Sequence, residues 1–527
     1  MSTGQVTTLA GPLGAVPAAD GLVDFRAWAP KADSVAVRLG DRDERLEPCA
    51  DGVHEGRIDA RPGDGYRYVL DGGTALPDPC SRWQPDGVHG PSRIVDPDGF
   101  AWTDGGFAPP GLDELVVYEL HVGAFTPEGT FDAIVPRLAG LRELGVTAIE
   151  LMPVATFPGN RGWGYDALYA YAPHPAYGGP DGLARLVDAA HAEGLAVLLD
   201  VVYNHVGPGS EALAAFGPYF TDRYETFWGE ALNYDGEDAA GVRAWAIENA
   251  AMWVRDYHVD GLRLDATHTV FDASPTHVLA ELAERVHEEK PGAFVVSEIE
   301  PGDLRPLHEW GHDAQWADDL HHAVHVLLTG EHDGYYEPYG RVADVATALA
   351  HPDARRFVVY AQDHDQVGNR ARGDRLRGEK LRLAAFCALL APGVPLLFMG
   401  EEHDEAHPFL FFSDHDDPAI AEATREGRRR EFAAFESFTG HEIPDPQAEE
   451  TFLASKLDPA AGDAEHRAYY RDLLELRRRL PDEPLRAEVD EDARMLTVRR
   501  GAAALLANFS DQEHDGVPPW TGVVRWP

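Results

Sequence analysis

From residue 115 onward the chain settles into one rhythm: apolar runs of strand length alternate with segments whose apolar residues recur at helical spacing. The runs are 115–125, 146–154, 195–205, 259–266, 294–300, 313–320, 356–365 and 395–403, the sixth being the least hydrophobic. Strands that are apolar on both faces and joined through helices belong to buried parallel sheets. A doubly wound sheet also alternates in this way. Eight strands over this length, without a Gly-rich phosphate turn, instead predict an α/β fold closed into a (β/α)8 TIM barrel.

Upstream, the runs 23–29, 34–39 and 66–70 are punctuated by Gly, Pro and Asp and lack helical periodicity. They predict an N-terminal β-sandwich of carbohydrate-binding-like type over residues 1–106. Its aromatics Trp28, Tyr66, Tyr68 and Trp83 read first as core and interface packing, with a sugar-stacking surface as the alternative. The Pro/Gly-rich join at 107–111 opens the barrel domain, expected over 107–483 with post-barrel helices at 419–435 and 468–480. Strand-like segments at 495–499, 502–508 and 523–526 predict a small C-terminal β-domain, 484–527. Two excursions interrupt the barrel pattern. Residues 207–235, rich in Gly and aromatics, read as a flap, since loops of this length in compact folds are usually functional. The second, 332–340, contains Gly334-Tyr-Tyr336.

Hydrophobic content of 44% and charged content of 26% describe a folded soluble protein. The net charge of −45 argues against nucleic acid and anionic membranes as partners, because neutralising phosphates needs clustered Lys and Arg. The basic run Arg428–Arg430 reads as a solvated or salt-bridged face. Cys49, Cys80 and Cys387 form no CxxC pair and no metal-ligand spacing. Cys49 and Cys80 could pair, but a reduced chain is the simpler reading. No signal-peptide pattern stands at the N-terminus, and the most apolar stretch, 384–399, is broken by two prolines. A cytoplasmic protein with a neutral small-molecule substrate is expected.

Nearly every run ends in groups that can do chemistry. His121 follows the first, and Asp200, Asn204 and His205 end the third. Arg263, Asp265 and His268 end the fourth, Glu298 the fifth, His364 and Asp365 the seventh, Glu401 and Glu402 the eighth. A (β/α)8 barrel carries its active site on the C-terminal ends of its strands, so these groups converge on one mouth. Arg263 and Asp265, two apart on an extended chain, share a face and can pair. In the tetrapeptide alone a structural salt bridge is the competing reading. Without a metal cluster, a Gly-x-Ser-x-Gly elbow or a nucleotide loop, the pocket works with carboxylates and histidines. Two carboxylates across a pocket are what glycoside cleavage needs. Asp265 is the ionised member. Glu298, behind the apolar Phe294-Val-Val-Ser297, has the setting of a general acid, with Glu300 as a competitor. Asp365 is a third acid, His205 and His364 are ring donors, and Trp163 and Tyr165 offer a stacking wall.

Four motifs, Asp200-Val-Val-Tyr-Asn-His205, Gly261-Leu-Arg-Leu-Asp265, Ser297-Glu298 and Gln362-Asp-His-Asp365, resemble in order the signature regions of the α-amylase family of glycoside hydrolases. The resemblance implies Asp265 as nucleophile, Glu298 as acid/base and Asp365 as transition-state stabiliser in a retaining double displacement. Arg263, His205, His364 and Tyr165 would line the subsite of cleavage, with Asp200 in support. A narrower likeness to the malto-oligosyltrehalose trehalohydrolase branch of that family covers nearly the whole chain. It is carried by Tyr118-Glu-Leu-His-Val-Gly123, Phe125-Thr-Pro-Glu-Gly-Thr-Phe131, Leu151-Met-Pro-Val154, Gly162-Trp-Gly-Tyr-Asp166, Gly334-Tyr-Tyr336, Phe412-Ser-Asp414 and Arg425-Glu-Gly-Arg-Arg-Arg-Glu-Phe432. That branch implies maltooligosyl trehalose as substrate, hydrolysis of the α-1,4 bond next to its terminal trehalose, no metal and no cofactor. A maltooligosyl trehalose synthase is the implied pathway partner. His121, His268, Tyr335 and Tyr336 complete the expected substrate-binding set, the last three on the leaving-group side. A glycogen branching enzyme and a catalytically dead glucan-binding module are the rival readings. Dead members characteristically lose a catalytic acid, whereas Asp265, Glu298 and Asp365 are all present.

Overall fold

The computed structural model describes residues 9, 11–227, 229–433, 443–458, 460, 462–481, 483 and 485–527. All eight predicted runs contain a strand: Val117–Leu120, Ala148–Leu151, Ala196–Val201, Gly261–Leu264, Phe294–Ser297, Ala314–Trp316, Phe357–Tyr360 and Val394–Phe398. They close into one parallel barrel, the first strand pairing with both the second and the eighth. The least hydrophobic run gives the shortest strand, three residues before its helix begins at Asp318.

Side chains two apart on a strand share a face, and this sets up the interior in layers. Val117, Ala148, Leu198, Val296, Ala314, Val358 and Leu396 fill the barrel as a core of their own, separate from the larger one between strands and helices. Two residues further toward the C-terminal end, the same inward face carries Glu119, Glu150, Asp200, Glu298, Trp316 and Tyr360. Arg263 joins this layer as the register partner of Asp200. A hydrophobic plug therefore closes the barrel from below, and the polar layer rests on it.

In the N-terminal region Gly14–Pro17, Val23–Trp28, Val53–Ile58 and Glu47–Pro48 form one antiparallel sheet. Arg42–Arg45, Val35–Leu39, Gly65–Leu70, Ala75–Leu76 and Ser92–Arg93 form the other. The Arg-Asp-Glu-Arg strand has no apolar signal because it lies at a sheet edge, where charge discourages pairing with other chains. Tyr66 and Tyr68 are buried in the sandwich, in line with the packing reading. Trp28 does more: it is 3% exposed, meets Tyr219 edge-on at 5.2 Å and lies against the barrel helix Ala239–Asp256 at Gly241. It bolts the sandwich to the barrel. Trp83 similarly faces Gly179, at the start of helix Gly179–Ala192.

The excursion 207–235 holds a short helix, Glu211–Phe216, and a two-stranded antiparallel hairpin, Phe220–Thr226 with Gly229–Leu232. After the barrel come helices Pro418–Ala433 and Ala464–Arg479. The last two residues of the expected helix 419–435 lie outside the described residues. A four-stranded antiparallel sheet ends the chain: Arg486–Asp490, Met495–Arg500, Ala503–Asn508 and Gly522–Arg525. Its first strand is mostly exposed and polar, so it carries no burial signal. No helix among the described residues is long and apolar enough to cross a membrane.

The Trp28 contact is testable through two glycines that sit in helices. Alanine in a helix is favoured over glycine by about 1 kcal/mol. At Gly241, however, an added Cβ would come within 2.0 Å of Trp28 Cε2, and overpacking typically costs ~1–3 kcal/mol. Gly241→Ala should therefore lose stability in a thermal melt. Gly427→Ala, with nothing within 4 Å, should gain about 0.5–1 kcal/mol. Equal shifts in the same direction would contradict the contact.

Candidate active site

The site is built around one guanidinium. Arg263 is fully buried, its Cζ lies 4.5 Å from the Trp316 ring centroid, and it serves three carboxylates at once. Nη1 donates to Asp200 Oδ1 and Oδ2 at 3.0 and 2.9 Å and to Asp265 Oδ1 at 2.6 Å. Nη2 donates to Glu298 Oε2 at 2.9 Å. The pairing foreseen within the fourth strand is thus one arm of a hub that ties the third, fourth and fifth strands together. Asp265 Oδ2 also accepts from Asn204 Nδ2 at 2.7 Å, so both its oxygens act as acceptors, the role of an ionised carboxylate.

The chain turns sharply after Asp265. Ala266 sits in the left-handed region at φ 39°, a strained conformation for a residue with a side chain, of the kind that gathers at functional sites. The turn aims the Ala266 N–H at Glu298 Oε2, 2.7 Å away, while the Thr267 N–H and hydroxyl both donate to the Glu298 carbonyl. Glu298 is consequently fixed at both backbone and side chain, with 28% of its side chain left open. Burial pushes its carboxyl up to about 8. Arg263 opposes the rise, but the neighbouring Asp265 and Asp365 reinforce it. That shift favours the protonated form of Glu298 at neutral pH. Glu300, the competitor by sequence, is exposed.

Opposite Arg263 stands a second charged pair. His364 Nε2 lies 3.3 Å from Asp365 Oδ2 and 2.7 Å from Tyr165 Oη, and Tyr165 donates to Asp200 Oδ2 at 2.7 Å. Burial would raise the Asp365 carboxyl, but His364, Arg263 and the Asn369 amide, 2.8 Å away, overcome it and hold the acid at about 2. Asp200 goes the other way: burial lifts it to about 7 against the pull of Arg263. Arg428, from the basic run, reaches back to Asn369 Oδ1 and the Gly368 carbonyl, so part of that run braces the site.

The remaining expected residues divide by position. His205 is buried, and burial lowers its imidazole despite Asp265 and Asp166. It opens onto a cavity of about 420 Å³ that runs along the excursion past Asp166, Glu211, Phe220 and Glu230. Trp163 is 4% exposed, stacks on Phe409 at 5.1 Å and meets His364 edge-on at 5.6 Å, so it backs the wall that Tyr165 faces. His121 lies deeper still. It is 1% exposed, 2.9 Å from the Gly162 carbonyl and 3.2 Å from Tyr177 Oη, and burial lowers it to about 4. The structure thus sets His121 behind the loop that carries Trp163 instead of at the open surface. His268 follows Ala266 on the short turn Thr267–Thr269. Tyr335, 46% exposed, stacks on His322 at 5.0 Å, whereas Tyr336 is buried with its hydroxyl 3.2 Å from Gln366 Oε1.

Four contributors escaped the sequence reading as site residues. Asn204 was visible only as a strand-end amide. Trp316 and Asn369 carry no local signal. Glu119, whose Oε1 lies 2.5 Å from His364 Nδ1, is betrayed only by being an acid inside an apolar strand. Among the described residues, no group of three or more His, Cys, Asp or Glu side chains could hold a metal ion.

Residues 91–231 match the family model for the alpha amylase catalytic domain. The malto-oligosyltrehalose trehalohydrolase of Deinococcus radiodurans is 44% identical over 505 residues, covering 89% of this chain and 83% of its own. That of Saccharolobus solfataricus is 42% identical over 489 residues, covering 86% and 85%. A crystal structure described as an alpha amylase of Salmonella typhimurium superposes with a TM-score of 0.89 at 37% identity, covering 98% of this chain and 100% of that one. With acids gathered on Arg263 at the mouth of an eight-stranded barrel, and with identity at this level over nearly nine-tenths of its length, the chain belongs to the malto-oligosyltrehalose trehalohydrolase family of α-amylase-type glycoside hydrolases.

Proposed function

We infer that this protein hydrolyses the α-1,4-glucosidic bond next to the terminal trehalose of maltooligosyl trehalose and releases trehalose. The observation that carries the chemistry is the unequal treatment of two acids on one guanidinium. Asp265 accepts through both oxygens, while Glu298, 2.9 Å from the same Arg263, is held up at about 8. One is a nucleophile and the other a proton donor. Sharing a planar group between them also favours the short separation of a retaining pair, about 5–5.5 Å, over the wider gap an inverting enzyme keeps for its water.

Asp265 attacks the anomeric carbon as Glu298 gives its proton to the departing glycosidic oxygen, so trehalose leaves and a covalent β-glycosyl ester forms. Glu298, now anionic, takes a proton from water as that water opens the ester, and both residues return to their starting states. Asp365, anionic beside His364, faces the oxocarbenium-like charge of both transition states. Tyr165, His205 and His364 hold the sugar being cleaved, with Trp163 and His121 behind them. The cavity past His205 takes the rest of the glucan, and His268 and the exposed Tyr335 take the trehalose side, with the buried Tyr336 packed behind Tyr335 rather than facing the sugar. A substrate with a trehalose end must be supplied by an enzyme that isomerises the reducing end of a maltodextrin, a maltooligosyl trehalose synthase. Three free cysteines suit the cytoplasm, where both maltodextrin and reduced thiols are found.

Maltotriosyl trehalose offered beside maltopentaose should be cleaved preferentially, with trehalose as product. New α-1,6 branches, or equal cleavage of both, would sink the assignment. Asp265→Asn and Glu298→Gln should each lose ~1,000-fold or more in kcat, about 4 kcal/mol of barrier lowering, with the fold intact by circular dichroism. The new reducing end should appear first as the α-anomer by NMR, and an initial β-anomer would exclude double displacement. Only the neutral form of Glu298 donates its proton, and that form is lost as pH rises through about 8. The rate should therefore fall above about pH 8.

A further inference from the structure

Glu119, on the first barrel strand, takes no part in the double displacement, yet its whole carboxylate is committed to the site. Its side chain and that of His364 are each 1% exposed. Oε1 accepts from His364 Nδ1 at 2.5 Å and Oε2 from the His364 backbone N–H at 3.0 Å. Proton counting then determines the state of the ring. Tyr165 has a single hydroxyl proton, directed at Asp200 Oδ2, and Asp200 is in turn bound by Arg263. With that proton so directed, Tyr165 Oη accepts from His364 Nε2–H, and the anionic Asp365 Oδ2, 3.3 Å from the same nitrogen, calls for a proton there as well. With Glu119 accepting from Nδ1–H, the ring donates through both nitrogens, which only the imidazolium does.

We propose that Glu119 is a positioning residue, which keeps His364 doubly protonated and oriented so that a fixed cation and N–H donor stand beside Asp365. The surroundings support this. Burial alone would strip the charge from His364, but Asp365 and Glu119 outweigh it and hold the imidazole well above its ordinary value. Glu150, the register partner of Glu119, is raised by burial and by Glu119 itself, and it makes no hydrogen bond to Nδ1. Asp363, on the same segment as His364, is likewise raised by burial and by Glu119. Asp200 favours the cation, whereas Arg263, and His121 if it were charged, would oppose it. Nothing else among these groups sits on Nδ1 as Glu119 does.

The proposal rests on His364 and Asp365 belonging to the cleavage centre, and the experiment separates the two. A parent enzyme that releases no trehalose defeats that reading, whereas the pH profile of Glu119→Gln tests this one alone. The amide keeps the size of the side chain and removes the counter-charge. In Glu119→Gln, kcat at pH 7.5 or thereabouts should fall about 10- to 100-fold, the worth of one charge-assisted hydrogen bond, with KM little changed. Its alkaline limb should move at least about one pH unit below that of the parent, as His364 rather than Glu298 becomes the first group to lose its proton. Glu119→Asp, which keeps the charge, should hold the parent limb. A Glu119→Gln profile that superimposes on the parent, or a uniform loss with unmoved limbs, would overturn the proposal. Should Glu119→Gln fail to fold, ¹⁵N-histidine spectra of the parent decide, with His364 assigned by its absence in His364→Gln. Imidazolium shifts persisting to pH 9 support the proposal, and a neutral ring at pH 8 refutes it.

Discussion

A buried cation that must be shared among more acids than it can neutralise governs this structure. Arg263 has no exposed surface, and removing a guanidinium from water is tolerable only when most of its donors are met. Asp200, Asp265 and Glu298, from three successive strands, meet those of Nη1 and Nη2, while the buried Nε has no hydrogen-bond partner among the described residues. The barrel register makes this possible, since Asp200 and Arg263 are lateral partners and Glu298 lies two residues beyond Val296, the partner of Arg263. Neither the strand order nor the stagger could slip without leaving a charge buried and unpaired. The same hub gives the acids unequal states, because they meet different donors in different degrees of burial.

Alternation of apolar runs with helices made the barrel legible, since period and length are properties of the sequence itself. The strand ends were legible for a related reason: an acid or imidazole at the end of an apolar run is conspicuous, as Asp265, Glu298 and Asp365 are. Residues inside the polar layer were harder. Glu119 and Glu150 lie within strands whose neighbours are hydrophobic, and Trp316 reads as one more apolar residue. What makes them part of the site is a neighbour hundreds of residues away, as Glu119 and His364 are, and no local pattern encodes that. The edge strand Arg42–Arg45 and the first strand of the C-terminal sheet, Arg486–Asp490, were missed for the opposite reason, because their exposure removes the alternation on which strand recognition depends.

Position in the sequence also says little about depth. His121 and His364 both follow apolar runs, yet one contacts the Gly162 carbonyl behind Trp163 and the other stands in the mouth of the barrel. Burial acts on both, and the outcomes diverge because of their partners. His121 has a carbonyl and a phenol for company and loses its proton affinity, while His364 has Glu119 and Asp365 and gains it.

That contrast extends to the whole polar layer. Two buried cations, Arg263 and His364, cannot balance all the carboxyl groups around them as anions. The surplus is relieved by protonation, and the protons go where donors are fewest for the burial suffered. Glu150, whose Oε1 has no hydrogen-bond partner among the described residues, and Asp363 are both raised by burial and by Glu119, and Glu298 is pushed up to about 8. Asp365, with His364, Arg263 and Asn369 at hand, stays anionic. Glu298 is thus pushed up because its site contains more carboxyl groups than positive charge to serve them. Removing a neighbouring acid would not simply delete a contact. It would redistribute protons among those that remain, because Glu119, Asp265 and Asp365 are themselves among the causes that raise their neighbours.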